Sequence, residues 1–110
     1  MGLKRDPQFG PVLVVGAGGI YTEVLKDVAR ALVPADLEGA GQLLETLKIY
    51  PILRGIRGQA GVNISALAET MVKLSRLAVD YPEIQELDLN PVVADRQGCW
   101  CVDCRIALGE

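Results

Sequence analysis

The chain has 110 residues, half of them apolar, with 11 basic and 14 acidic side chains and a formal charge of −3. That length and balance predict one domain, residues 1–110, with a modest core, and exclude a disordered tail or a basic nucleic-acid binder. With no histidine, Ser-His and Cys-His catalysis and His-ligated metals are excluded within this chain, and no apolar run reaches the roughly 20 residues of a membrane span. The start, MGLKRDPQFG, is polar, holds Pro7 and Gly10, and lacks a signal peptide's apolar stretch. Val12 to Val15 reads as a short buried strand stopped by the glycine cluster at 16, 18 and 19. From Ile20 to Val33 the periodicity is helical, with Ile20, Val24, Val28 and Ala31 on one side and Glu23, Lys26, Asp27 and Arg30 on the other.

Asp36 is placed to cap a helix over 37–49 whose apolar face is Leu37, Ala40, Leu44 and Leu47. Gly39 and Gly41 weaken that helix by about 1 kcal/mol each relative to alanine, so it depends on packing. Residues 51–61 read as a glycine-rich loop carrying Arg54 and Arg57, which either meet phosphate or stay solvated. Asn63 caps the clearest helix, 64–79, where Ile64, Leu67, Met71, Leu74 and Ala78 form one stripe. Two strand-like runs, 84–94 and 99–107, close the chain around a hairpin loop at 95–98.

Two stretches carry candidate chemistry. VLVVGAGGI has the form of a strand entering a glycine turn and a helix N-terminus that holds a phosphate, as in dinucleotide folds and adenylating domains. The third glycine of that pattern falls at Tyr21, and no strand follows Val33 to complete a β-α-β unit. A plain glycine turn is the competing reading. In the closing hairpin, a symmetric four-residue loop at 95–98 sets Asn90 across from Asp103 and Asp88 across from Arg105. A carboxylate and an amide oxygen converging beside Asp88 suit a Mg²⁺ that keeps waters and phosphate oxygens as its other ligands. The alternative is an ordinary polar sheet face with an Asp88–Arg105 ion pair. The cysteines at 99, 101 and 104 are odd in number and supply three thiols, with Cys104 on the opposite strand face. They read as free thiols packed in a strand in a reducing, cytoplasmic setting rather than as a zinc site or a disulfide framework.

Three stretches in order, LKRDPQFGPVLVVGAGGIYTEVLKDVARALVP, IYPILRGIRG and IQELDLNPVVADRQGCWCVDCRI, resemble the ATP-grasp segment of ADP-forming (NDP-forming) acyl-CoA synthetases, relatives of the succinyl-CoA synthetase β subunit. The resemblance runs from Leu3 to Leu108. It implies ATP-dependent joining of a small carboxylic acid to CoA through an acyl phosphate and a phosphohistidine, with ADP and phosphate released. In that family the Asn of the L-x-N-P motif and the Asp of the closing strand bind Mg²⁺. These carry over to Asn90 and Asp103, the pair the hairpin register also picks, with Asp88 as a third candidate. Arg54 and Arg105 are the candidate phosphate contacts, and no catalytic residue is assigned.

The resemblance also implies that residues 22–33 are extended, against their helical periodicity, and the extended reading is adopted. The expected fold is α+β: a mostly antiparallel sheet with two packed helices, resembling the C-terminal ATP-grasp subdomain. Only the second part of an ATP-grasp is matched, so the chain is expected to be a partial domain, inactive alone. It would work with the remaining ATP-grasp and CoA-binding subdomains or subunit, with Mg²⁺ and ATP as cofactors and no nucleic acid or membrane as partner. Apolar surface left by the missing part invites self-association into a homo-oligomer. The competing functions are an adenylating or dinucleotide-binding domain built on the GAGG loop and a non-catalytic interaction module.

Overall fold

The computed structural model of the chain describes residues 1–18, 24 and 26–109. Among them, five strands form one sheet: β1 (Gly2–Asp6), β2 (Gly10–Gly16), β3 (Val28–Leu32), β6 (Ile84–Leu89) and β9 (Cys104–Leu108), in the order β3-β2-β1-β6-β9. Every neighbouring pair is antiparallel. Three helices of the described residues accompany it: α1 (Leu37–Glu45), the short α2 (Tyr50–Arg54) and α3 (Ile64–Asp80). Two small hairpins, β4 (Gly55–Ile56) with β5 (Gln59–Ala60) and β7 (Val92–Ala94) with β8 (Cys99–Cys101), complete the described elements. This is the α+β architecture expected.

Alternation along the strands decides which face the helices cover. Leu3 pairs with Leu13 on one side and with Leu87 on the other, and all three are buried, as is Val15. Helix α3 lays Leu67, Ala68, Met71, Leu74 and Ala78 on that face, and α1 adds Ala40 and Leu44. Burying side chains of this size contributes about 1.5–3 kcal/mol each for the larger ones. Both caps form as expected: Asp36 accepts from Gly39 N–H at 2.7 Å and Asn63 from Ala66 N–H at 3.0 Å. No helix of the described residues is long and apolar enough to cross a membrane.

Several elements differ from the sequence reading. Strand β1 lies in the middle of the sheet although its segment is polar. Only Leu3 is needed on the core side, and Arg5 lies alongside the C-terminal end of α3, donating to the carbonyls of Ala78 at 3.0 Å and Tyr81 at 3.4 Å. The helix expected over 37–49 ends at Glu45, where Thr46 N–H and hydroxyl both bond to the Leu43 carbonyl. The buried Asp27 carboxylate then accepts the N–H groups of Lys48 and Ile49, and Pro51 opens α2 as a separate helix. The expected loop 51–61 therefore holds a helical turn and a tiny hairpin. Extended structure is present at Val28–Leu32, within the 22–33 stretch read as a strand, but Val24 is helical and Lys26 takes a left-handed backbone, so the strand starts later than that reading has it; residues 19–23 and 25 lie outside the described residues. The strand expected over 84–94 breaks at Asn90–Pro91, and that over 99–107 at Val102–Asp103.

Candidate metal and phosphate site

The paired ends of β6 and β9 bring the predicted residues together. The register is the one the four-residue loop implied: Asp88 opposite Arg105, Leu89 opposite Cys104, Val92 opposite Cys101. Across the break the chains stay joined, with Asn90 N–H donating to the Asp103 carbonyl at 3.1 Å and Val102 N–H to the Pro91 carbonyl at 3.0 Å. The loop itself is held by Asp95, whose carboxylate accepts from Gln97 and Gly98 N–H. Asn90 and Asp103 are both exposed; Asp103 Oδ1 accepts the Cys104 N–H at 2.9 Å, which leaves its other oxygen open to solvent.

Asp88 lies on the sheet face away from the helices. Its neighbour on β1 is Gly2, and a methyl group placed there would sit 3.6 Å from Asp88 Oδ1 and 2.5 Å from the Leu87 carbonyl. The carboxylate thus lies close to the open backbone of Gly2. The cross-strand ion pair with Arg105 does not form among the described residues. Beside Asp88, the Met1 amino group donates to the Leu89 carbonyl at 3.1 Å. Burial pushes that amine below its ordinary range, while the charges of Asp88 and Cys101 pull it partly back.

Asp88 and Asn90 line a cleft of about 510 Å³ at this end of the sheet, together with Gly16, Gly18, Leu47 and Val62. The glycine turn after β2 therefore faces the same cleft. Asp103 is tied to the cleft wall through the Asn90 backbone rather than lining it. Arg54 is exposed at the end of α2, one residue after Leu53, which does line the cleft. Arg105 is exposed on the edge strand β9. Sequence reasoning missed the role of Asp27, a residue 2% exposed whose carboxylate fixes the α1–α2 corner that forms one wall. Nothing in its local sequence separates it from a solvated acid.

The donor set is two carboxylates and an amide, all hard oxygens, and fits Mg²⁺ bound with waters and phosphate oxygens rather than a closed protein cage. Among the described residues no three His, Cys, Asp or Glu side chains gather into a metal-holding group. The thiols serve otherwise: Cys99 lies 3.3 Å from Thr70 Oγ1 and near the Ala66 carbonyl, and Cys101 Sγ donates to the Asp103 carbonyl at 2.9 Å. Cys101 and Cys104 are exposed, not packed as expected.

Residues 1–108 match the ATP-grasp domain family. The chain belongs to it. This ATP-grasp chain is 46% identical over 108 residues to the β subunit of acetate–CoA ligase (ADP-forming) I of Pyrococcus furiosus, covering 98% of the chain and 47% of that subunit. It is 46% identical over 110 residues to acetate–CoA ligase (ADP-forming) I of Archaeoglobus fulgidus, covering the whole chain and 16% of that protein. Among solved structures, it resembles dinucleotide-forming acetyl-coenzyme A synthetase 1 of Korarchaeum cryptofilum in complex with coenzyme A and Mg-AMPPCP. The TM-score is 0.92 at 40% identity, covering 97% of this chain and 50% of that one. The chain thus spans about half or less of the relatives it matches. The all-antiparallel sheet also removes the dinucleotide-fold alternative, which needs parallel strands joined by helices.

Proposed function

We propose that this chain is the second part of an ATP-grasp ligase that joins a small carboxylic acid to CoA, with ATP giving ADP and phosphate. The observation that supports the reading is that Asp88 and Asn90 line one cleft with the glycine turn, with Asp103 joined to Asn90 through the backbone, in a chain 46% identical to an ADP-forming acetate–CoA ligase subunit. Asn90, Asp103 and Asp88 would hold Mg²⁺, and Arg54 and Arg105 would meet the phosphates. When bound, the metal neutralises charge that builds on the phosphoryl oxygens during transfer. Asp103 contributes an anionic oxygen and Asn90 a neutral one, so their losses differ in kind. The remaining ATP-grasp and CoA-binding parts come from the rest of the ligase, fused or as a partner subunit, in the cytoplasm where ATP and CoA are supplied. Turnover of the complete ligase against Mg²⁺ concentration tests this. Asp103→Asn should cut turnover at least a hundredfold with the fold intact, and Asn90→Ala should raise the Mg²⁺ requirement. Unchanged curves for both would leave only a solvated sheet surface.

A further inference from the structure

The open face of the sheet carries a row of residues that crosses all five strands. Register pairs join Arg30 of β3 to Val14 of β2, Val14 to Gly2 of β1, Gly2 to Asp88 of β6, and Asp88 to Arg105 of β9. Directly opposed residues of antiparallel strands point to the same side, so all five share the face away from the helices. Arg30 and Arg105 are exposed, and neither guanidinium has a hydrogen-bonding or ionic partner among the described residues. Between Arg30 and Asp88 lie only an isopropyl group and a glycine, and the approach of Leu87 to Gly2 leaves no room for a side chain there. The row is a shallow trough with an acid toward one end, a free guanidinium at each edge, and no polar group on its floor.

We propose that Arg30 is a further phosphate-binding residue, holding the end of the nucleotide's phosphate chain that lies farthest from Asp88. This rests on the reading of Asp88, Asn90 and Asp103 as the metal end of the same site. Three strand spacings separate Arg30 from Asp88, about 14 Å at the backbone. An extended arginine, a short acid and a metal-bridged di- or triphosphate together span that gap. The guanidinium presents paired donors to phosphate oxygens, which a lone ammonium does not. The face carries no other anion in this row to compete with the phosphates, and Arg105 supplies the matching charge beyond Asp88.

The helical periodicity of 20–33 hides this arrangement. Read as a helix, the segment puts Arg30 among Glu23, Lys26 and Asp27 on a solvated face. As a strand, Ala29 and Ala31 face the helices and Arg30 faces the trough.

The test is Mg·ATP binding and steady-state kinetics of the complete ligase carrying Arg30→Gln or Arg30→Lys. Arg30→Gln should weaken Mg·ATP about tenfold, with KM for ATP rising by the same factor and Arg30→Lys recovering part of it. The Mg²⁺ requirement at saturating ATP and the thermal midpoint should not move, since Arg30 touches neither metal nor core. Parent-like ATP affinity for Arg30→Gln overturns the inference. If Asn90→Ala and Asp103→Asn alter the Mg²⁺ requirement in the same preparation while Arg30→Gln is silent, only the role of Arg30 falls. If all three are silent, the site itself is misplaced.

Discussion

The carboxylate of Asp27, just before β3, accepts the N–H of Ile49 at 3.0 Å and with it the N–H of Lys48, so a single buried acid joins the sheet to the corner between α1 and α2. Ile49 is the N-cap of the following helix, where backbone N–H groups lack intrahelical acceptors. Asp27→Ala would remove the carboxylate that accepts both part-buried amides and should lower stability by roughly 1–3 kcal/mol in urea unfolding. Asp27→Asn keeps an accepting oxygen and should lose less. Equal stability of parent and Asp27→Ala would show that water replaces the carboxylate.

Gly2 sets how closely β1 approaches β6. A methyl group there meets the Leu87 carbonyl, a backbone atom that cannot swing away. Gly2→Ala should therefore destabilise the chain by about 1–3 kcal/mol, the usual cost of overpacking. Denaturant midpoints measure this, and an unshifted midpoint would mean that the two strands separate without cost.

The part-buried Met1 amine of the 110-residue chain, where it is free, gives that chain a pH dependence of definite sign. Its folded pKa lies below its ordinary value, so between the two the unfolded chain binds more protons. Stability should rise with pH up to about 8 and level off above it. At lower pH, protonating the part-buried amine costs stability. Thermal midpoints across that range, compared with an N-terminally acetylated chain, isolate the effect: the acetylated chain should lack this slope. Parallel curves for the two forms would assign the slope to other groups.

On the proposed reading, the 110-residue chain supplies one wall of a nucleotide site and the rest of the ligase supplies the remainder of its enclosure. Its affinity for Mg·ATP should be at least a hundredfold weaker than that of the complete ligase, because small-ligand affinity comes largely from burying the ligand. Calorimetry on both decides it; micromolar binding by the chain alone would mean that the cleft beside Asp88 and Asn90 encloses more of the nucleotide than its lining implies.

How legible each part was depended on whether local pattern and tertiary setting agreed. Helix α3 and the cap at Asn63 could be read directly, since its apolar stripe repeats at the helical period and lies against the sheet. The pairing of Asp88 with Arg105 was equally plain once the loop length at 95–98 was known, because loop length sets hairpin register. Strand β1 was not legible. One leucine among charged residues gives no alternation to detect, and its place at the sheet centre is decided by partners at the two ends of the chain. For residues 28–32 the pattern pointed the wrong way, toward a helix, and only the whole-chain resemblance pointed to a strand. Asp27 was invisible because its partners are backbone amides more than twenty residues downstream.

The central position of β1 has a consequence for synthesis. Its hairpin with β2 is local and can close early, whereas its other neighbour, β6, is encoded near the opposite end: Met1 and Leu89, which hydrogen-bond to each other, are 88 positions apart. Until β6 leaves the ribosome, the β1 edge stands open, and loop closure over such a separation makes the final pairing slow. A nascent chain paused before β6 emerges therefore presents an unpaired strand edge, the kind of surface that chaperones bind and that seeds aggregates in their absence.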